Sequence, residues 1–259
     1  MENKAANLSL LGVSFAIGAL GMPFLLGAFN EQYSFSVILS SVGFLTLFAA
    51  IFFMMISFPP PKQKQGIPVL QGVRFFKDNF ILMIAFFLFC QSSYEAVINN
   101  WTTTFLIDQL DVSRSTALYS LSLYIVGMAV TRLVVGSVFR KAKPASVMYL
   151  SLALLFVGAS LLRLNHSYAI SVAGLILTGA GLASGFPIML GFVGERYTDL
   201  SATAFSFVLV IALTGNILIT YLMGLIAQYY GISNMILVIY ALNAAMLLLT
   251  IFIMRKNNT

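Results

Sequence analysis

Polar side chains at helical spacing interrupt a long apolar stretch of the sequence between residues 79 and 106. Gln91, Glu95, Asn99 and Thr102 recur every three or four residues, so a helix would place all four on one face. An acidic side chain halfway along a membrane-spanning helix costs about 2.5–3.5 kcal/mol on insertion scales. That cost favours a functional role, and we interpret Glu95 as a proton acceptor or hydrogen-bonding group in a solute cavity. The alternative is a structural glutamate bonded to a neighbouring helix.

Other side chains in apolar stretches could contact a solute. Tyr94 and Trp101 could stack on a sugar ring, although Trp101 also fits the aromatic belt at a membrane interface. Asn216 and Thr220 lie one helical turn apart and could donate hydrogen bonds to a solute or to a neighbouring helix. Both alternatives stay open for each pair.

Two arginines favour a gating role. Arg132 lies about two helical turns before a basic cluster that begins at Arg140, and Gly127 and Gly136 flank it. Such glycines indicate close contact between helices. We therefore interpret Arg132, with Arg140, as part of a conformational lock near a cytoplasmic gate, in preference to direct solute contact.

The motifs of enzymes and of metal or nucleotide sites are missing from the sequence. Cys90 is the only cysteine and His166 the only histidine, so the sequence predicts neither a disulfide framework nor a metal site. It has no phosphate-binding loop and no Ser-hydrolase or zinc-protease motif. Basic residues lie between apolar runs, which argues against nucleic-acid binding. We expect no cofactor and no catalytic residue.

Composition places these side chains in a membrane protein. Of 259 residues, 60% are hydrophobic and 8% are charged, whereas soluble domains carry about 25% charged residues. A helix needs about 20 apolar residues to cross a bilayer. The sequence predicts eight such spans, at residues 8–29, 35–57, 79–106, 115–139, 145–163, 168–193, 201–229 and 234–254.

The connections predict orientation and domains. With the N-terminus in the cytoplasm, eleven Lys and Arg residues fall on that side and only Arg114 and Arg163 on the other. This asymmetry predicts a multi-pass protein of the inner membrane with both termini cytoplasmic. Three prolines at 59–61 end the second span, and residues 59–78 are predicted to form a central cytoplasmic loop.

An internal repeat suggests how the spans are grouped. Residues 18–36 align without gaps to residues 215–233, six spans later, and Gly27 matches Gly224. An even separation preserves direction across the bilayer, as in parallel transporter repeats. We therefore expect residues 79–259 to form a complete six-helix bundle. Residues 1–58 would supply the last two helices of another bundle, whose first four helices lie outside this sequence.

Three groups of residues resemble motifs of the major facilitator superfamily. The first resembles the family's fifth-helix motif and comprises Gly12, Gly18, Gly21, Pro23 and Gly27. The second resembles a short cytoplasmic motif between two helices and comprises Gly127, Arg132, Gly136, Arg140, Lys141 and Lys143. The third resembles the tenth helix and comprises Gly185-Phe186-Pro187 and Gly194-Glu195-Arg196-Tyr197. Tyr94-Glu95 with Trp101 is similar to the seventh helix of fucose-permease-like members.

The resemblance implies an all-α polytopic membrane protein that works as a secondary transporter by alternating access. It suggests a small solute such as a sugar, moved with protons, while drug or metabolite efflux is a second possibility. A non-transporting scaffold or an inactive transporter remnant is the alternative from another class. The lipid bilayer, the solute and protons are the expected partners, and the complete transporter is expected to be monomeric. Small residues and prolines should permit close packing and bending, namely Gly18, Gly21, Pro23, Gly27 and Pro187.

Overall fold

Helices make up all of the regular structure that can be described. The computed structural model describes residues 18, 21–29, 32–57, 72, 74–137, 142–164 and 167–257. Eight helices are α1 (Phe35–Met54), α2 (Asn79–Leu110), α3 (Arg114–Ser137), α4 (Pro144–Leu164), α5 (Tyr168–Leu182), α6 (Gly185–Arg196), α7 (Ser201–Tyr230) and α8 (Met235–Asn257). Residues 21–29 form a further helical segment.

The lengths and hydropathy of these helices agree with the predicted spans. In the part of the chain that can be described, seven segments are long and apolar enough to cross a membrane, and α5 and α6 together form one of them. The second to eighth predicted spans are thereby confirmed to within a few residues. Most of the predicted first span, most of the loop at 59–78 and Arg140 lie outside the described residues. The division into two bundles stays a prediction.

Helix α2 is the centre of the helical bundle. It packs against α7 and α8 and also contacts α3 and α6. In its most apolar 18-residue window 72% of residues are buried, whereas the corresponding window of α1 is 0% buried. The other close pairs are α4 with α5 and α3 with α5. Of the functional residues predicted on α2, Gln91 and Tyr94 are therefore buried, whereas Asn99 is exposed. Helix α1 presents its sides outward.

Two aspartates define the ends of α2. The Asp78 side chain accepts a hydrogen bond from the Phe80 N–H and caps the first turn. Asp111 ends the helix in the left-handed conformation with φ 49°. The 32 residues between them span about 48 Å, well beyond a hydrocarbon core of about 30 Å. The helix must therefore tilt or extend past the membrane core.

Glycines let the backbone of α5 pack directly against the backbones of α3 and α4. A Cβ atom at Gly127 of α3 would collide with the Ile176 backbone, and one at Gly179 of α5 with the Tyr124 carbonyl. On the other side, a Cβ at Gly158 of α4 would lie 2.8 Å from the Gly174 carbonyl oxygen. Small residues at helix contacts are the usual means of close packing in membranes, where the hydrophobic effect provides little drive for association.

The helical segment 21–29 contacts the bundle through α3. A Cβ atom at Gly27 would lie 2.9 Å from a ring carbon of Tyr119. The ring of Phe24 lies 5.4 Å from the Tyr119 ring, between centroids, at an interplanar angle of 50°. The helical segment 21–29 thus contacts α3 at this aromatic residue.

Candidate functional site

A break in a membrane-spanning helix forms the core of the candidate site. Helix α5 ends at Leu182 and α6 begins at Gly185, where the sequence analysis predicted one continuous span. The last turn of α5 is tightened, because the Ala183 N–H bonds to the Ala180 carbonyl, three residues back. Broken helices at membrane depth expose backbone carbonyl groups and often form binding sites in transporters.

Pro187 explains why the helix breaks here. In a continuous helix the carbonyl of Ala183 would accept a hydrogen bond from the N–H of residue 187, four positions later. Proline has no N–H, and its ring crowds that carbonyl. The Ala183 carbonyl instead accepts a hydrogen bond from Nε of Arg132 on α3, at 3.4 Å. A side chain from another helix thus replaces the missing backbone donor.

Gln91 of α2 reaches the same break. Its buried amide nitrogen donates to the Leu182 carbonyl oxygen at 2.9 Å and to the Glu95 carboxylate at 3.2 Å. The amide oxygen of Gln91 is buried and has no hydrogen-bond partner among the described residues. One side chain therefore connects the candidate proton acceptor to the helix break.

Glu95 lies at the middle of α2 and is half-buried. Asn99, one turn further along, is exposed and donates its amide to the Glu95 backbone carbonyl at 2.9 Å. The guanidinium of Arg132 lies close enough to interact electrostatically with the Glu95 carboxylate. Arg132 and Glu95, for which the sequence predicted different roles, belong to one cluster.

Tyr124 of α3 is a member of this cluster that the sequence analysis did not identify. Its side chain is 1% exposed. The charged groups of Glu95 and Arg132 are close enough to interact electrostatically with its hydroxyl group, and the Asn99 side chain lies near that hydroxyl. No atom in the described residues meets hydrogen-bond geometry with that hydroxyl. Tyr124 and Arg132 are eight residues apart on α3, so one helix face carries both. That spacing was the available signal.

The remaining predicted solute-binding residues point elsewhere. Tyr94 is fully buried, with its hydroxyl near Thr178 on α5, so its ring presents no face for stacking in this conformation. Trp101 faces α7, where its ring lies 3.5 Å from the Cβ position of Gly224. Asn216 is half-buried on α7 beside Gly215, and no hydrogen bond of the cluster described above involves it.

The residues predicted to permit packing and bending differ in their surroundings. Gly27 is in close contact with Tyr119, whereas a Cβ atom at Gly18 or Gly21 would meet no described atom within 4 Å. Pro23 is half-buried in the segment 21–29, and Pro187 is exposed on α6. Only Gly27 and Pro187 therefore have an observed structural consequence among the described residues.

A second cluster of polar residues connects the start of α2 to the end of α6. The Tyr197 hydroxyl, just after α6, donates to the Asp78 carboxylate. The Arg196 guanidinium lies 4.5 Å above the centre of the Phe80 ring. Burial acts to raise the pKa of Asp78, but hydrogen bonds from Tyr197 and Phe80 and the Arg196 charge outweigh it and lower the pKa below its ordinary value. Burial raises the pKa of Tyr197, and Asp78 adds to the rise.

The central cluster offers a defined set of chemical groups. Glu95 can hold or release a proton, Arg132 supplies a fixed positive charge, and Gln91, Asn99 and Tyr124 supply hydrogen-bonding groups. Among the residues described, no group of three or more His, Cys, Asp and Glu side chains could hold a metal ion. The cluster thus combines an ionisable acid, a fixed positive charge and hydrogen-bonding groups.

Comparison with known proteins identifies the family. The family model of the Major Facilitator Superfamily matches residues 2–197. The chain belongs to the Major Facilitator Superfamily. It is a multi-pass membrane protein with the helical fold of that family. No curated protein matches the sequence significantly.

Solved structures of a superfamily transporter resemble the fold. A crystal structure of a single-residue variant of the E. coli fucose:proton symporter aligns with a TM-score of 0.59 at 17% identity, covering 80% of this chain and 52% of that chain. The structure of this transporter in an outward conformation aligns with a TM-score of 0.59 at 16% identity, covering 80% and 51%. This superfamily chain therefore spans about half the length of the structures that it matches.

Proposed function

We propose that this chain forms part of a secondary transporter that moves a small polar solute together with protons. Glu95 is the proton acceptor, and the break between α5 and α6 forms one wall of the solute site. The observation that carries this proposal is the hydrogen bonding of Gln91, which joins the Glu95 carboxylate to the broken helix at Leu182. A change in the protonation of Glu95 would act directly on the backbone of that wall.

Charge supports proton coupling over simple solute binding. When Glu95 is ionised it balances the nearby Arg132, and when it is protonated the cluster carries a net positive charge. A membrane interior penalises such a change strongly, so the two states should favour different packing of the cluster. Ligands and protons shift a conformational equilibrium only through such differential stability.

A neutral sugar is the solute class that we propose. The cluster offers donors and acceptors together with balanced charges, which suits a hydroxyl-rich neutral molecule. The similar structures belong to a fucose:proton symporter, which is consistent with this class. We further propose an inner-membrane location with both termini in the cytoplasm, based on the Lys and Arg asymmetry of the connections.

Proton movement in proteoliposomes tests the proposal. The transporter of which this chain forms part is reconstituted with a pH-sensitive dye in the lumen, and fucose, other neutral sugars or a cationic dye is added outside without a pH gradient. We expect a neutral sugar to carry protons inward and acidify the lumen, and a protonophore to abolish the signal. Empty liposomes provide the control.

The other outcomes separate the competing functions. Sugar flux without luminal acidification would contradict proton coupling. Transport of the cationic dye alone would favour efflux of drugs or metabolites. Absence of flux for every solute, with the protein correctly folded, would favour a non-transporting scaffold.

A further inference from the structure

A pocket of about 310 Å³ lies at the end of the bundle opposite Asp78. It is enclosed by the last turns of α2 and α4 and by the start of α8, and it is separate from the Glu95 cluster. Its lining residues are Phe105, Gln109, Leu162, Arg163, Ser233, Asn234, Ile236 and Leu237. The volume is at the lower end of the range for ligand sites, about 300–1,000 Å³.

The lining is divided into an apolar wall and a polar rim. Phe105, Leu162 and Ile236 are buried members of the wall. The rim carries the Arg163 guanidinium, and no acidic side chain among the described residues lines the pocket. An arginine in such a position favours an anionic group, and phosphate is a preferred partner because guanidinium can donate two parallel hydrogen bonds.

The rim also holds a fixed acceptor. The amide nitrogen of Asn234 donates to the Tyr230 carbonyl at 2.6 Å and to the Gly231 carbonyl at 3.4 Å. These bonds hold the side chain in place and leave its oxygen as the group available to a ligand. The rim thus combines a positive donor, an acceptor and the hydroxyl of Ser233.

The pocket lies where three candidate membrane spans begin or end, which is the level expected for lipid headgroups. Its residues belong to the ends of three membrane-spanning segments, which end at Leu110 and Leu164 and begin at Ile232. Tyr229 and Tyr230, at the adjoining end of α7, are 72% and 77% exposed, as expected for aromatic residues of the interfacial belt. Leu237 in the wall is 55% exposed, so the wall continues onto the membrane-facing surface.

We propose that this pocket binds the headgroup of a glycerophospholipid. Arg163 binds the phosphate, and the Asn234 oxygen accepts a hydrogen bond from the headgroup hydroxyl or ammonium. The parts of the acyl chains nearest the headgroup lie along Phe105, Ile236 and Leu237. In the orientation predicted from the basic residues, the lipid belongs to the non-cytoplasmic leaflet. A free phosphate ion would use Arg163 but would leave the apolar wall without a partner.

Thermal unfolding of the detergent-solubilised chain tests the site. Phosphatidylglycerol, diacylglycerol with the same acyl chains, or inorganic phosphate is added, and unfolding is followed through the only cysteine, Cys90, with a thiol-reactive dye. We compare the wild type with Arg163→Gln and with Arg114→Gln. Arg114 is an exposed arginine at the start of α3 that does not line the pocket. Native mass spectrometry counts bound lipid in parallel.

We expect phosphatidylglycerol to raise the Tm of the wild type and of Arg114→Gln. The apparent affinity should fall at least about tenfold in Arg163→Gln, since a hydrogen bond to a charged group is lost. An equal Tm shift with diacylglycerol, or an unchanged affinity in Arg163→Gln, would overturn the proposal. A full shift with inorganic phosphate alone would overturn the lipid assignment. Equal Tm values of the three proteins without lipid would show that folding is intact.

Discussion

The side-chain amide of Gln91 occupies the space that a side chain at residue 185 would need. A Cβ atom at Gly185 would collide with Gln91 Oε1, so glycine at the start of α6 is what allows Gln91 to reach Leu182. The helix break and the polar cluster therefore depend on each other.

Gly185→Ala should destabilise the protein by displacing Gln91. The amide would lose its bond to the Leu182 carbonyl and leave a buried acceptor without a partner, which costs about 1–3 kcal/mol. The change is measured by thermal unfolding with the thiol-reactive dye on Cys90. Gly191→Ala is the matched control on the same helix, because a Cβ atom there meets nothing within 4 Å among described atoms. Equal Tm values for the two variants would contradict this account of the break.

Tyr124→Phe should lower the affinity for solute without lowering the stability of the protein. The hydroxyl is buried and has no hydrogen-bond partner among the described residues, so its removal should leave the unfolding free energy unchanged or raise it by up to about 1 kcal/mol. If the hydroxyl contacts solute, solute affinity should fall about tenfold. Equilibrium binding of radiolabelled sugar measures that affinity. Tyr229→Phe, at an exposed position, is the control, and a clear loss of stability in Tyr124→Phe would show that the hydroxyl has a structural partner.

Gly179→Ala should weaken the contact between α3 and α5. A Cβ atom at this position collides with the Tyr124 carbonyl, so the two backbones must separate. We expect a loss of about 1–3 kcal/mol, as for overpacking of a tight interior. Thermal unfolding checks it, with Gly191→Ala again as the control. A Tm equal to that of the control would mean that the two helices are not packed at backbone distance.

Tyr197→Phe should lower stability by an amount that depends on pH. The pair with Asp78 is only partly buried, so its loss should cost about 1 kcal/mol near neutral pH. The pKa of Asp78 is lowered in the folded protein, so the stability that depends on its charge is present above its ordinary pKa. That stability is lost as the pH falls through the lowered pKa. Unfolding measured between about pH 3 and pH 7 should show the difference between wild type and variant shrinking at the acidic end. A constant difference would contradict the role of the ionised carboxylate.

Hydropathy predicted the spans well because membrane insertion depends on it directly. The predicted span 201–229 compares with α7 at Ser201–Tyr230. The prediction for α2 ended at residue 106, but the helix continues to Leu110. Hydropathy falls at Asp108, whereas the backbone hydrogen bonds continue until Asp111 adopts a left-handed conformation. Helix ends outside the hydrocarbon core are set by capping and not by lipid.

The helix break and the cluster were harder to predict. Gly185 and Pro187 were recognised, but a span counted by hydropathy does not register a missing backbone hydrogen bond. Glu95 and Gln91 were identified because polar side chains stand out on an apolar helix. Tyr124 was missed because a tyrosine in a membrane span is most often an interfacial residue. Its role depends on which helix packs opposite, and that information is in the tertiary structure.

The most direct test of the central claim is the comparison of two transport modes in Glu95→Gln. The substitution keeps the shape of the side chain and one acceptor oxygen but removes the group that can gain and lose a proton. In proteoliposomes, accumulation of a neutral sugar driven by an imposed pH gradient should be abolished, while exchange of labelled for unlabelled sugar at equilibrium should persist. Glu195→Gln, the same change at an exposed site on α6, should retain both modes. Gradient-driven accumulation by Glu95→Gln equal to that of the wild type would contradict the assignment of Glu95 as the proton acceptor.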